Sequence, residues 1–545
     1  MLLALLAPNY GSRFIVSLER HIRLVATRRR LAVFAVLATA LIARLAVLPI
    51  EPIPEPGIHD EFSYLLMADT FAHGRLTNPP HPMWKHFETF HVNQLPTYCS
   101  KYMPAQGLFL ALGQAICHQP FWGVWLSTGL MCASICWALQ AWMPPTWALV
   151  GGILAILRLG VFSYWADSYW GGSVSALGGA LVVGAFARVR RRTRVRDSAI
   201  MATGLSLLAA SRPYEGLVYS IPILVLLSVW LWRSEGPTLR QRLCKFVLPA
   251  FLTLMVTASA LAFYFWRTTG SPWHPPYAIY AATYDAAPFV PWQRITSVPI
   301  YRHEEMKRFY LGYEMNQYLV TRSVPWFVWT IRTGEFWLFF AGPALMVAVL
   351  VAVWLLPYGL GVKGFTRKAR VLLLINLVSF VALLLPTYFN LHYAAPMTCS
   401  FLALLVLCFR SIWIRDRQGV QKGKSIVRGI ILVCIIVSVL RAFIPNAYWA
   451  PSNGSFPTPK QTERAKILKR LREYTASQIV IVRYKPDHDP HDEWVYNDAD
   501  IDGSRVIWAR DMGPQNAELV RYFHDRRPWL LEPDYNPPKL SPYEQ

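Results

Sequence analysis

Apolar residues gather into runs of roughly 15 to 25 positions, joined by short connections rich in Arg and Lys. Runs of that length predict membrane-spanning helices at about 31 to 50, 121 to 142, 146 to 163, 173 to 188, 199 to 211, 216 to 232, 246 to 266, 335 to 357, 371 to 389, 394 to 413 and 426 to 444. The predicted fold class is a polytopic α-helical membrane protein with about eleven transmembrane helices, an odd number that puts the termini on opposite sides. The run "PAQGLFLALGQAICHQP" at 104 to 120 differs: its apolar core of about fourteen residues is short of the roughly twenty a span needs. Counted as a span, it would put "ARVRRRTRVR" and every later basic loop outside. Left out, it puts them all inside, so it is expected to be an interfacial or re-entrant helix on the outer face.

Beyond about residue 445 the pattern changes. Charge rises, and the order reads helix "TPKQTERAKILKRLREY", strand "QIVIVRY", strand "RVIWARD", helix "PQNAELVRYFHD" and strand "WLLEP". The expected organisation is a cytoplasmic segment 1–30, a transmembrane domain 31–444 with outer loops 51–120 and 267–334, and a small soluble α/β domain 445–545 on the periplasmic or extracellular side. About a hundred residues suffice for a core of its own. The loop 267–334, dense in Pro and aromatics, reads as a lid or acceptor-binding loop, or as interfacial packing.

A formal net charge of +22 on 545 residues raises nucleic acid as a partner. The basic residues cluster in "ERHIRLVATRRR", "ARVRRRTRVR", "RSEGPTLRQRLCK", "VKGFTRKAR" and "RSIWIRDRQGVQKGKSIVR", each beside an apolar run. That is the positive-inside pattern of cytoplasmic loops facing anionic lipid, not a DNA-binding face. The partner is therefore the bilayer and not nucleic acid, and the expected location is the inner (plasma) membrane with a cytoplasmic N-terminus. The run "MLLALLA" precedes the charges and is too short for a signal-peptide core. Six of eight cysteines lie in or beside predicted spans; Cys99 and Cys117 fall on the outer side, where a disulfide between them is compatible with the compartment.

Acidic and aromatic residues converge on that outer side. "EPIPEPGIHD" is punctuated by Pro and Gly, and "EFSYLLMADTFAHG" then runs at helical spacing to Gly74. Asp60 and Glu61 open this helix, where an acid serves either as a cap or as a general base at the membrane surface. The buried cations Arg44 and Arg158 read either as functional or as snorkelling to the interface. Tyr164, Trp165, Tyr169 and Trp170, around Asp167, read as an interfacial aromatic belt or as stacking partners for a sugar or prenyl chain. The histidines, including those of "DHDPHDE", show no i, i+4 zinc spacing. No metal site is assigned and no cofactor is required, although a divalent cation on Asp60 or Glu61 is compatible with those ligands.

The "DE" pair after a first span, the "Y…A" helix, and "KYMPAQGLFLALG" resemble the GT-C superfamily of membrane glycosyltransferases. The resemblance is narrower to the aminoarabinose-transferase, protein O-mannosyltransferase and rhizobial lipopolysaccharide-transferase-like group. It extends over roughly residues 31 to 230 and returns at "FNLHYAAPM", which resembles a late "R-Y-x-x-P" element. Ala105 stands where the second proline is usual, and His392 where the late Arg is. The resemblance implies GT-C architecture, with inverting transfer of a sugar from a polyprenyl-phosphate carrier to a lipid, glycan or protein acceptor at the outer face. It implies Asp60 as base with Glu61 in support, Lys101, Tyr102 and Arg212 toward the carrier phosphate, and Asp167, Trp170, His392 and Tyr393 lining the site. The competing classes are a secondary transporter or lipid flippase, which places broken spans in two halves, and a non-catalytic assembly or sensor protein.

Overall fold

A computed structural model describes residues 12–232, 238–295, 297–354, 365–415, 422–441, 443 and 459–544. The apolar run at 1–7, most of the loop at 355–364 and the linker at 444–458 lie outside the described residues, as does the predicted end of the last span. Six described helices are long and apolar enough to cross a membrane: Arg29–Val47, Phe121–Trp142, Pro213–Trp232, Leu239–Thr269, Leu391–Ile414 and Gly423–Arg441. Those at Pro145–Gly160 and Ser173–Val189 are apolar but shorter, and Val195–Ser211 has 17 residues. By length and composition the described chain thus supports six or seven spans rather than eleven.

The predicted span 335 to 357 is not one helix. Pro325–Phe340 and Gly342–Trp354 meet at a 100° bend. The joint has a physical cause: Gly342 takes φ +64, and the Arg158 guanidinium lies against it. Arg158 Nη2 donates to Leu338 O at 2.9 Å and to Phe339 O, which satisfies carbonyls at the end of the first helix. Arg158 therefore caps a helix end inside the fold instead of snorkelling. Close helix packing elsewhere uses small residues: a Cβ on Gly204 would stand 2.8 Å from Gly178 O, so Ser173–Val189 and Val195–Ser211 touch backbone to backbone.

One end of the bundle gathers the basic connections. Gln140 Nε2 donates to Arg29 O at 2.9 Å, Lys368 Nζ to Trp142 O at 2.7 Å, and Arg188 Nη2 to Trp137 O at 2.6 Å. The amphipathic helix Ser12–Thr27 is tied there by Glu19, which receives Arg428 Nε and Nη2 at 2.8 and 3.0 Å. The opposite end carries the helix His59–Ala72, a two-stranded ribbon of β1 (Val92–Asn93) and β2 (Cys99–Ser100), and the helix Pro104–Cys117 packed on His59–Ala72. At 14 residues Pro104–Cys117 is too short to span.

The loop 267–334 is folded rather than open. Tyr280 and Tyr284 of helix Pro276–Tyr284 pack with Met306, Phe309, Tyr310 and Phe90 in one buried cluster. The C-terminal part forms a four-stranded sheet of β3 (Gln478–Val482), β4 (Val506–Arg510), β5 (Arg527–Glu532) and β6 (Lys539–Pro542), in the order β4-β3-β5-β6. β3 is parallel to β4 and β5, while β6 pairs antiparallel with β5. The sequence pattern misses β6 because "KLSP" is short, half exposed and ends in proline, as an edge strand permits. One face of this sheet has a core of its own, with Leu471, Val480, Trp494, Trp508 and Trp529; the other face shares one. Ile479, Ile481, Ile507, Leu519 and Phe523 share one cluster with Leu66, Phe87, Val92 and Tyr98 of the first loop.

Cys99 is buried, Cys117 is exposed, and both thiols are free, so the disulfide considered from the sequence is absent. Cys117 is thus a natural reporter of topology. A membrane-impermeant maleimide is expected to label Cys117 in intact cells, and Arg192→Cys in a Cys117→Ala background only after permeabilisation. Labelling of both from one side would overturn the orientation read from the basic loops.

Candidate functional site

The approach to helix His59–Ala72 is extended at Ile58, with φ −127 and ψ 157, so its first N–H groups need an acceptor. Glu61 supplies it: Oε2 accepts from Gly57 N at 2.8 Å and Ile58 N at 3.3 Å, while Oε1 accepts from Tyr169 N at 3.0 Å. The side chain is 5% exposed. Burial pushes its pKa up to about 7 against the three backbone donors. Glu61 thus caps the helix and joins it to the aromatic turn.

Asp60 lies about 100° around the helix from Glu61 and faces an opening, at 24% exposure. Tyr102 Oη donates to its Oδ1, and His91 Nδ1 lies 3.6 Å from Oδ2 and 3.0 Å from Tyr102 Oη. Burial, followed by Lys101 and His59, holds the His91 imidazole far below its usual range and hence neutral. The β1/β2 ribbon explains the meeting. Val92 pairs with Ser100, so His91 and Lys101 come opposite each other, and Lys101 N donates to His91 O at 3.1 Å. Ser63 Oγ fastens the ribbon to the helix through His91 O at 2.6 Å and Ser100 Oγ at 2.7 Å.

Lys101 is 7% exposed. Its ammonium lies 4.5, 5.4 and 5.5 Å from the ring centroids of Tyr280, Tyr102 and Tyr277. Among the described residues no carboxylate comes within ion-pair distance of it. A buried cation solvated by π faces is compatible with an arriving anion. Arg212, next to Pro213–Trp232, sits over the Tyr393 ring at 4.5 Å and 3.8 Å from Glu215 Oε1. Tyr64 stacks on Tyr102 at 4.5 Å; burial pushes its phenol up, with Arg212 acting against that shift and Asp60 with it. Asp60, Lys101, Tyr102, Arg212 and Tyr393 therefore surround one neighbourhood.

The other expected site residues are placed differently. Asp167 pairs with Arg44 Nη2 at 2.6 Å, and Arg44 Nη1 also donates to Glu51 O at 3.2 Å. Arg44 does not snorkel: it pins the first span to the turn after the third predicted one. His392 takes Tyr164 Oη on Nδ1 at 3.0 Å and Trp170 against its ring at 4.5 Å, fully buried. A narrow crevice with room for about one water molecule lies between Pro213–Trp232, Arg367–Leu384 and the 391–397 turn, lined by Glu215, Tyr219, Leu383, Tyr393 and Met397.

Sequence reasoning missed two carboxyls of the 267–334 loop. Burial, and then the like charge of Asp285, push Glu314 up to about 8, while Lys101 opposes; Tyr388 Oη donates to its Oε2 at 3.1 Å. Burial likewise raises Asp285 against Lys101. Their only sequence signal was the dense tyrosine around them in "YAIYAATYD" and "YLGYE". Among the described residues no group of three or more His, Cys, Asp or Glu could hold a metal ion.

No protein-family model matches the chain, and no curated protein does. Its fold is similar to that of the Archaeoglobus fulgidus oligosaccharyltransferase in the apo form, at 11% identity, 92% of this chain and 69% of that one, with TM-score 0.50. It is likewise similar to ArnT from Cupriavidus metallidurans in the apo state, at 11% identity, 92% of both chains and TM-score 0.51. Both likenesses are of fold.

Two neighbouring acids in different roles should respond differently to substitution. Glu61→Ala strands three N–H groups and is expected to cost about 1.5–3 kcal/mol in thermal or denaturant unfolding, whereas Asp60→Asn should stay within about 0.5 kcal/mol. The folded state holds the Glu61 proton up to about pH 7, whereas an exposed glutamic acid releases it near 4.5. Its contribution to stability is therefore complete below 4.5 and lost as pH rises through 7. Glu61→Gln should flatten that part of the stability profile, and an unchanged slope would remove Glu61 as its source.

Proposed function

We propose that the chain is an integral-membrane glycosyltransferase that moves a sugar from a polyprenyl-phosphate carrier to a hydroxyl of a lipid, glycan or protein acceptor, with inversion, at the face that carries Asp60. One observation carries this reading. The ribbon that orients the Asp60 carboxylate through Tyr102 also presents Lys101, a buried cation without a carboxylate partner among the described residues. A base and an anion-binding group side by side suit displacement of a phosphate from an anomeric carbon. The GT-C fold supports the same reaction class.

In the step, Asp60 accepts the acceptor's proton as the acceptor oxygen bonds to the anomeric carbon. The bond from that carbon to the phosphate oxygen breaks on the opposite face, and the carrier phosphate leaves with the electron pair. Lys101 and Arg212 stabilise the charge gathering there. Tyr102 holds the carboxylate in place, and Tyr393 supports Arg212 from below. Glu61 and Asp167 act by position, through the helix start and through Arg44.

The test is transfer of a radiolabelled sugar from a defined polyprenyl-phosphate donor by the purified protein in nanodiscs. Asp60→Asn is expected to lose about 10²–10⁴-fold in turnover while still binding donor. Lys101→Ala should also raise the donor KM. Full turnover by a folded Asp60→Asn protein would remove Asp60 as base, and transfer from a soluble nucleotide sugar without lipid would refute the carrier. Movement of an intact lipid with no bond broken would favour a flippase.

A further inference from the structure

The loop "KPDHDPHDE" at 485–493 carries two histidines in contrasting settings. His488 is enclosed, with Nδ1 2.7 Å from Asp534 Oδ1 and its ring stacked on Tyr484 at 4.0 Å. His491 is 46% exposed, and Asp489 Oδ1 lies 2.8 Å from its Nδ1, which leaves Nε2 for another partner. Its ring stands at 90° to Tyr313, 4.4 Å away, and Tyr313 is itself 44% exposed. Phe309 and His59 complete the corner at 5.6 and 6.1 Å.

This corner belongs to the same opening as Asp60. His59, next to Asp60 in the chain, holds Pro490 O through Nε2 at 2.9 Å, and Arg308 Nη1 donates to His488 O at 3.2 Å. Burial, and then the Glu314 and Asp60 carboxylates, raise the Tyr313 phenol, so Tyr313 stands within electrostatic reach of the base. The loop of the C-terminal domain is thus fastened at the start of the Asp60 helix, with its exposed His491 ring against Tyr313 of the 267–334 loop.

We propose that His491 and Tyr313 form an acceptor subsite for an uncharged sugar ring beside Asp60, built jointly by the C-terminal domain and the 267–334 loop. The proposal rests on the glycosyltransferase reading and names the acceptor's class. Two exposed rings at right angles offer one face to the C–H side of a pyranose and one edge to its hydroxyls. His491 Nε2, with Nδ1 committed to Asp489, is left to hydrogen-bond a hydroxyl. Asp487, Asp489, Asp492 and Glu493 outnumber Lys485 in the loop, which disfavours a phosphorylated ring.

Saturation-transfer NMR on the full-length protein in nanodiscs, with methyl β-glucoside, methyl β-galactoside and methyl α-mannoside as probes and glucose 6-phosphate as the charged comparison, tests this. At least one neutral glycoside should receive saturation at its ring protons and glucose 6-phosphate should not. His491→Ala and Tyr313→Ala should each weaken binding about tenfold, while Tyr313→Phe, which keeps the ring, should retain it. Absence of saturation with the wild type, stronger binding of the phosphorylated sugar, or unchanged binding by both alanine variants would overturn the subsite. Failure of the glycosyltransferase reading would instead show as a folded wild type that consumes no polyprenyl-phosphate donor while still binding the glycosides.

Discussion

The arrangement of this molecule depends on one buried carboxyl that ties a helix start to a distant turn. Glu61 accepts N–H groups from the extended approach to its helix and from the aromatic turn at Tyr169, and so locks two distant segments at a single point. Because neighbouring residues on a helix diverge by about 100°, burying Glu61 turns Asp60 toward the opening. The Arg44–Asp167 pair pins the same turn to the first span, and in a buried setting each ion needs the other.

Around that fixed point, charge is distributed by environment. Lys101 is surrounded by tyrosine rings rather than by a carboxylate, which leaves its charge for a ligand. Glu314 and Asp285 share its field from the far side and keep their protons more tightly than exposed acids do. Arg212 has the opposite setting, with Glu215 beside it and Tyr393 beneath. The C-terminal sheet is part of the same construction. Arg510 donates to Glu88 O and pairs with Glu493 and with Glu305 Oε2 at 3.3 Å, linking three segments that are remote in sequence.

Much of the architecture was legible along the chain. Apolar runs located the long helices, and the strands at 478, 506 and 527 followed from β-branched and aromatic runs. The misses have physical causes. The break at Gly342 depends on a guanidinium 184 positions earlier in the chain, which local hydropathy does not register. The short helices pack through glycine contacts inside the bundle, and a length threshold does not describe them well. The core shared by Ile479 and Leu66 joins two segments that each read as separate units.

Sequence alone located the long apolar helices and marked the Asp60 and Lys101 segments, because hydropathy and charge act locally and those segments are short and contiguous. Only the tertiary structure decided which acid faces the opening, that Asp167 belongs to Arg44, and that Asp285, Glu314, Tyr313 and His491 come to the same place. Those outcomes depend on contacts across hundreds of residues, and burial at the contact, rather than residue type, sets what each carboxyl or imidazole can do.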